Sequence, residues 1–169
     1  MISKKMQDAL NEQINKEFYS AYMYLAMSAY CNSLGLQGFA HWMRMQFEEE
    51  SLHVNKMYDY ILGQGGTVQL KAIDQPPAEY GSPLEVFEET LRHEQYVTGL
   101  IHKLMDLAVE ERDYATQTFL QWFVTEQVEE EATVNDIVAP LRMVGKEKGG
   151  LMMIDQQLKA RGTPTPPAN

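Results

Sequence analysis

Apolar side chains recur at three- and four-residue steps in four long stretches of the chain, the spacing that puts them on one face of an α-helix. The first seam, Leu10, Ile14, Glu17, Ala21, Tyr24 and Ser28, predicts a helix from about Lys4 to about Ser33. Phe18, Tyr22 and Leu25 widen its apolar face. Asn32-Ser33-Leu34-Gly35 is a short stop, after which Phe39, Met43, Gln46, Glu50, His53, Met57 and Tyr60 carry a second helix to about Leu62. Gly63-Gln64-Gly65-Gly66 ends it. Ser82 and Pro83 read as N-cap and first position of a third helix, with Glu85 in its first turn. Its seam is Leu84, Phe87, Leu91, Glu94, Thr98, Ile101, Met105 and Ala108. A turn near Glu111-Arg112-Asp113 leads to a fourth helix bearing Leu120, Phe123, Gln127, Glu130, Val134, Ile137 and Leu141, which Gly145 ends. Gly149-Gly150 then introduces a short amphipathic piece from Leu151 to about Lys159.

Between Gly63 and about Pro83 there is no helical period, and Pro76, Pro77 and Pro83 rule out a hidden helix. A structureless connection of about twenty residues is uncommon in a compact domain. Reach supplies a reason for it. A helix of about 28 residues is about 42 Å long, whereas about twenty extended residues span about 66 Å. The segment can therefore travel the whole bundle and let helices two and three run parallel. The expected fold is all-α: a four-helix bundle with one long crossover between helices two and three, plus a short C-terminal fifth helix. Residues 1–160 would form one domain, and the proline-rich residues 161–169 a flexible tail.

Each seam is broken near its midpoint by groups that a bundle core does not want: Glu17, Glu50 with His53, Glu94, and Gln127 with Glu130. Every break falls about eleven to seventeen residues from its helix start, so at a rise of about 1.5 Å per residue all lie near one level. Carboxylates gathered in a dry core would hold protons or repel one another. Two divalent cations would remove both difficulties. The donors are carboxylate oxygens, one imidazole and one amide, a hard set that favours iron or manganese, admits zinc, and argues against a copper electron-transfer site. Glu49, Glu126 and Glu129 stand beside these ligands and would form either a third, looser cation site or a solvated face. Tyr24 shares the seam of Glu17, so its hydroxyl would bond a ligand or supply an electron, or else simply pack. Trp122 reads as a packing residue, and His41, His93 and His102, off the seams, as surface or interface histidines.

The totals narrow the class further. The 169 residues make one domain, and 14 Lys+Arg against 24 Asp+Glu leave a formal charge of −10. That balance argues against a nucleic-acid partner and suits a protein that gathers cations. The one cysteine, Cys31, excludes an intrachain disulfide and any Cys-based metal motif. The N-terminus has no signal-like apolar segment, and no run is long enough to span a bilayer, so no membrane partner is expected and the cytoplasm is the expected compartment.

Four motifs together carry a family resemblance. Asn11-Glu12-Gln13 leading to Glu17, Glu50-Ser51-Leu52-His53, His93-Glu94-Gln95, and Phe119-Leu120-Gln121-Trp122 through Glu126-Gln127-Val128-Glu129-Glu130-Glu131 resemble bacterial non-haem ferritin over nearly the whole chain. The resemblance implies a ferritin-like bundle assembled as a homo-oligomeric, hollow 24-subunit shell. It implies ferroxidase activity, in which Fe(II) is oxidised with dioxygen or peroxide and ferric oxyhydroxide is stored inside. By position, Glu17, Glu50 and His53 would hold the first of two irons per subunit. Glu50 would bridge to the second, held by Glu94 and Glu130 with Gln127 close by. Glu49, Glu126, Glu129 and Glu130 match the family's third site, and Tyr24 its site-adjacent tyrosine.

Departures narrow the choice. A bacterioferritin would carry a second Glu-x-x-His on helix four, where this chain has Gln127 and Glu130, and a haem-binding methionine where it has Ser51. Haem is therefore not expected. A rubrerythrin would need a four-cysteine iron domain. Two rivals remain open: a non-mineralising di-iron or di-manganese oxidase or peroxide reductase, and a non-catalytic cation-binding bundle.

Overall fold

The computed structural model describes residues 1–165 and resolves five helices: α1 (Lys4–Ser33), α2 (Gln37–Gly63), α3 (Pro83–Glu110), α4 (Tyr114–Val144) and α5 (Lys148–Leu158). Four of the starts are capped by a residue just before them, and the cap at Ser82 is the one the sequence suggests. Ser3 Oγ accepts the Met6 N–H at 3.0 Å, and Asp113 Oδ1 accepts the Thr116 N–H at 3.0 Å. Ser82 and Glu85 close a reciprocal capping box, with Pro83 in the first helical position.

Pairings between chain segments fix the directions of the first three helices. The start of α1 meets the end of α2, since the Ile2 N–H reaches the Gln64 carbonyl at 3.4 Å. It also meets the end of α3 through Lys5 and Glu110, 3.0 Å apart, while Met27 further along α1 contacts Thr90 near the start of α3. Both α2 and α3 are thus antiparallel to α1 and parallel to each other. That is the topology the long connection permits.

The crossover is held to α1 by polar side chains spaced along one helix face. The Thr67 N–H donates to Gln7 Oε1 at 2.9 Å, Asn11 bonds both the Thr67 carbonyl and the Gln69 N–H, and Asn15 Nδ2 donates to the Ala72 carbonyl at 3.0 Å. Lys71 pairs with Glu12. Near the far end of α1, the Tyr30 hydroxyl donates to the Gly81 carbonyl at 2.7 Å. An irregular backbone needs its N–H and C=O groups satisfied, and α1 supplies part of that need.

One helix start departs from the sequence expectation, and another takes its cap from a distant residue. The fifth helix begins at Lys148 rather than Leu151, because the Glu147 carboxylate accepts the N–H groups of Gly149 and Gly150 and turns that glycine pair into a first helical turn. The second helix begins at Gln37, two residues before Phe39, with no cap from its own sequence. Its cap comes from α5: Asp155 Oδ1 accepts the N–H of Gly38 at 2.7 Å and of Phe39 at 3.1 Å. Gly38 allows this approach, since a Cβ there would lie 1.6 Å from the Asp155 carbonyl oxygen.

The core divides into two apolar blocks. One contains Tyr24, Met27, Phe39, Met43, Phe87, Val134 and Leu141; the other contains Leu10, Ile14, Met57, Ile61, Ile101, Leu120 and Phe123. On each of the four long helices, the mid-seam polar residues fall between the members of one block and those of the other. No helix among the described residues is long and apolar enough to cross a membrane.

Candidate metal centre

Glu17, Glu50, His53, Glu94, Gln127 and Glu130 are each 4% exposed or less, so the four long helices do bury their interrupting groups in the bundle interior. Amides and a phenol hold the carboxylates. Gln13 Nε2 donates to Glu17 Oε1 at 2.8 Å, and Gln46 Nε2 donates to Glu130 Oε2 at 3.1 Å. Glu94 is gripped on both oxygens: the Tyr24 hydroxyl donates to Oε1, and Gln127 Nε2 donates to Oε2 at 3.2 Å. Gln127 also reaches the Glu94 carbonyl and Thr98 Oγ1, both at 3.3 Å, which makes its amide a positioning group for Glu94.

The remaining donor atoms have nothing to bond. Among the described residues, Glu17 Oε2, Gln46 Oε1, Glu50 Oε2, His53 Nε2 and Glu130 Oε1 are buried without a hydrogen-bond partner; the one other such atom is the Tyr80 hydroxyl, outside this layer. His53 Nδ1 lies 3.3 Å from Glu50 Oε2, yet that oxygen makes no hydrogen bond. Orphaned buried polar atoms are costly, and here they converge. Donor atoms of Glu17, Glu50 and His53 lie within 4.8 Å of one another, as do those of His53, Glu126 and Glu130. Such clusters of hard donors fit divalent cations.

The electrostatics agree. Burial raises the Glu50 carboxyl well above its ordinary range, and the charges of Glu17 and Glu94 raise it further. Burial lifts Glu94 to about 7 against the opposing hydrogen bonds from Tyr24 and Gln127, and lifts Glu130 to about 8 with help from Glu94. Without a cation, this layer holds protons in its place. Burial and the nearby Glu94 also push the Tyr24 phenol up, keeping it a donor.

The flanking acids divide. Glu126 joins His53 and Glu130, whereas Glu129 is exposed and belongs to neither cluster. Glu49 is paired with Arg161, whose Nη2 lies 2.5 Å from Glu49 Oε2. Of the expected tail, residues 166–169 lie outside the described residues, and Arg161 is placed against α2. His93, read as a surface or interface histidine, sits at the edge of the bundle interior. It is half-buried, its Nε2 is 2.7 Å from Ser20 Oγ, and burial pushes it down to about 4. Its ring stands among those of Tyr19, Tyr24 and Tyr96. Trp122 packs edge-on against the His53 ring, 5.4 Å between centroids.

Sequence reasoning did not single out Gln13, Gln46 or Arg161. Gln13 stands one turn before Glu17, and Gln46 one turn before Glu50 on the same seam, a spacing that signals an amide aimed at the polar layer. Arg161 carries no such signal.

A four-helix bundle with one long crossover and a buried carboxylate-imidazole layer is the architecture of ferritin-like bundles. The relatives make this specific. The family model described as Ferritin-like domain matches residues 7–144, and the chain belongs to that family. The chain is 48% identical to the bacterial non-heme ferritin of Bacteroides fragilis over 161 residues, 95% of this chain and 100% of that protein. It is 44% identical to that of Staphylococcus saprophyticus, covering 95% of this chain and 96% of the relative. An open pore ferritin from the hyperthermophilic archaeon Archaeoglobus fulgidus superposes with a TM-score of 0.95 at 51% identity, over 96% of this chain and 100% of that one. A closed form of the Archaeoglobus fulgidus ferritin, engineered by mutagenesis, gives a TM-score of 0.96 at 49% identity, over 97% and 100% of the two chains.

Proposed function

We propose that this chain is an iron-storage protein with ferroxidase activity, which oxidises Fe(II) with dioxygen within each subunit and stores ferric oxyhydroxide in a hollow 24-subunit cytoplasmic shell. One observation carries the reading: Glu17, Glu50, His53 and Glu130 each bury an unpartnered donor atom, these residues fall in two overlapping clusters that share His53, and the second oxygens of Glu17 and Glu130 are already tethered.

Iron here is substrate. Glu17, Glu50 and His53 hold one ferrous ion; Glu50, Glu94 and Glu130 hold the second; Glu126, with Glu49 and Glu129, offers an outer, looser position. The tethers have a definite task. Gln13 and Gln46 each fix one oxygen of a ligand carboxylate, so the other oxygen keeps its direction when the ion arrives or leaves. Tyr24 and Gln127 each hold one oxygen of Glu94 and so orient the whole carboxylate in the layer. Two ferrous ions give one electron each to dioxygen, and fixed spacing brings both donors to one acceptor. Protons held by Glu50, Glu94 and Glu130 leave as iron enters, because the carboxyls must ionise to ligate.

The test is aerobic loading of metal-free protein with ferrous iron, with particle size followed by light scattering. Uptake of many irons per subunit by a shell-sized particle is expected. Saturation at two metals in a small oligomer would replace this reading with the non-mineralising di-metal oxidase.

A further inference from the structure

Arg161 follows α5 and lies back across α2, where its Nη1 donates to the Trp42 carbonyl at 3.4 Å and three further contacts fix it. Its Nη2 is 2.5 Å from Glu49 Oε2, its guanidinium sits 4.4 Å above the centre of the Trp42 ring, and its carbonyl oxygen is 2.8 Å from His41 Nε2. The Arg161 and Glu49 side chains are only 20% and 21% exposed, so water does not screen the pair as it would on an open surface. Glu49 directly precedes Glu50, and its charge bears on Glu94, Glu126 and Glu130. Glu126 belongs to the cluster in which His53 Nε2 and Glu130 Oε1 are buried and unpartnered.

We propose that Arg161 is the resident cation of the outer position, restricting a third divalent ion by holding the Glu49 carboxylate that this ion would need. A divalent ion approaching Glu49 either displaces a guanidinium that is both stacked and hydrogen-bonded, or shares the carboxylate beside a fixed positive charge. Both weaken its binding. The inner pair, whose ligands do not touch Arg161, is unaffected. The chain thereby holds two ions firmly and passes a third on, and the contact that sets this preference comes from the segment after α5 rather than from the bundle.

This inference rests on the di-metal reading, and the experiment separates the two. Zinc, which is redox-silent, is titrated calorimetrically into assembled metal-free protein as wild type, R161Q and R161Q/E49Q, with assembly checked by light scattering. Two tight zinc ions per subunit in wild type are expected; their absence would overturn the di-metal reading irrespective of Arg161. R161Q should bind a third zinc more tightly by about tenfold or more, the scale of one charge-assisted pair. Adding E49Q should cancel that gain. R161K, which keeps the charge but loses the planar fork and the stack, should fall between wild type and R161Q. A third-ion affinity unchanged by R161Q, or a gain that survives E49Q, would show that Arg161 is only a strap for the chain end.

Discussion

Asn11 and Glu17 lie on the same helix, six positions apart, and both are buried, at 4% and 1% exposure. Their surroundings differ in one respect. Asn11 Nδ2 donates to the carbonyls of Gln7 and Thr67, both at 3.0 Å, and its Oδ1 accepts the Gln69 N–H at 2.7 Å. Glu17 has one oxygen held by Gln13 and the other bonded to nothing. A buried polar group whose bonds are complete is part of the architecture: it ties the crossover to the bundle. A buried polar group left incomplete, beside others equally incomplete, marks a place built for something that arrives later.

The contrast breaks most visibly at the centre. Replacing Glu94 or His53 with Ala should leave shell assembly intact and slow ferrous oxidation by about a hundredfold or more, as loss of a metal ligand does. Stopped-flow absorbance checks it, and undiminished rates in both variants would remove these residues from the chemistry. Asn11→Ala should do the reverse. It strips the partners from the crossover backbone at Thr67 and Gln69 and should cost about 2 kcal/mol in denaturant unfolding, with the oxidation rate per folded subunit unchanged. A slowed rate without lost stability would collapse the distinction.

The same contrast has a pH signature. Glu50, Glu94 and Glu130 have carboxyls raised above their ordinary values in the folded chain, so the folded state binds more protons than the unfolded one. Stability of metal-free protein is then fully present below the unfolded carboxyl range and is lost as pH rises through about 7 to 8, the values of Glu94 and Glu130. Thermal melts from pH 5 to 8 should show this decline, and saturating zinc should flatten it. For the same reason, Glu50→Gln should stabilise the metal-free protein by about 1 kcal/mol while abolishing tight metal binding, the usual exchange between function and stability. A more local effect is expected at the start of α2: Asp155→Ala, which uncaps Gly38 and Phe39, should cost about 1 kcal/mol and loosen α5, read by hydrogen exchange at those two amides.

What could be read from the sequence follows a physical rule. Seam periodicity and mid-seam interruptions are local properties, so the four long helices, the parallel placement that the crossover allows, and the buried layer of Glu17, Glu50, His53, Glu94 and Glu130 were all legible. Caps made by a neighbouring residue were legible too, as at Ser82 with Glu85. The Gln13–Glu17 tether and the Glu147 cap of α5 are local yet went unread; the other features that escaped depend on chain segments far apart. Asp155 caps α2 from 117 residues away, and Arg161 reaches Glu49 across 112. His93 was read as a surface or interface histidine, and its off-seam position could not show that Ser20 and three tyrosines gather around its ring. Periodicity reports which face a residue takes, not what another element later lays upon it.

The central claim is that the unpartnered donors of the middle layer are metal ligands. Anomalous scattering from crystals of metal-free protein soaked anaerobically in ferrous iron tests it most directly. The account predicts two strong iron peaks per subunit, one among Glu17, Glu50 and His53, the other against Glu94 and Glu130 with Glu50 between. Iron bound elsewhere with that layer still dry of metal, the carboxyls paired instead to one another or to water, would contradict it.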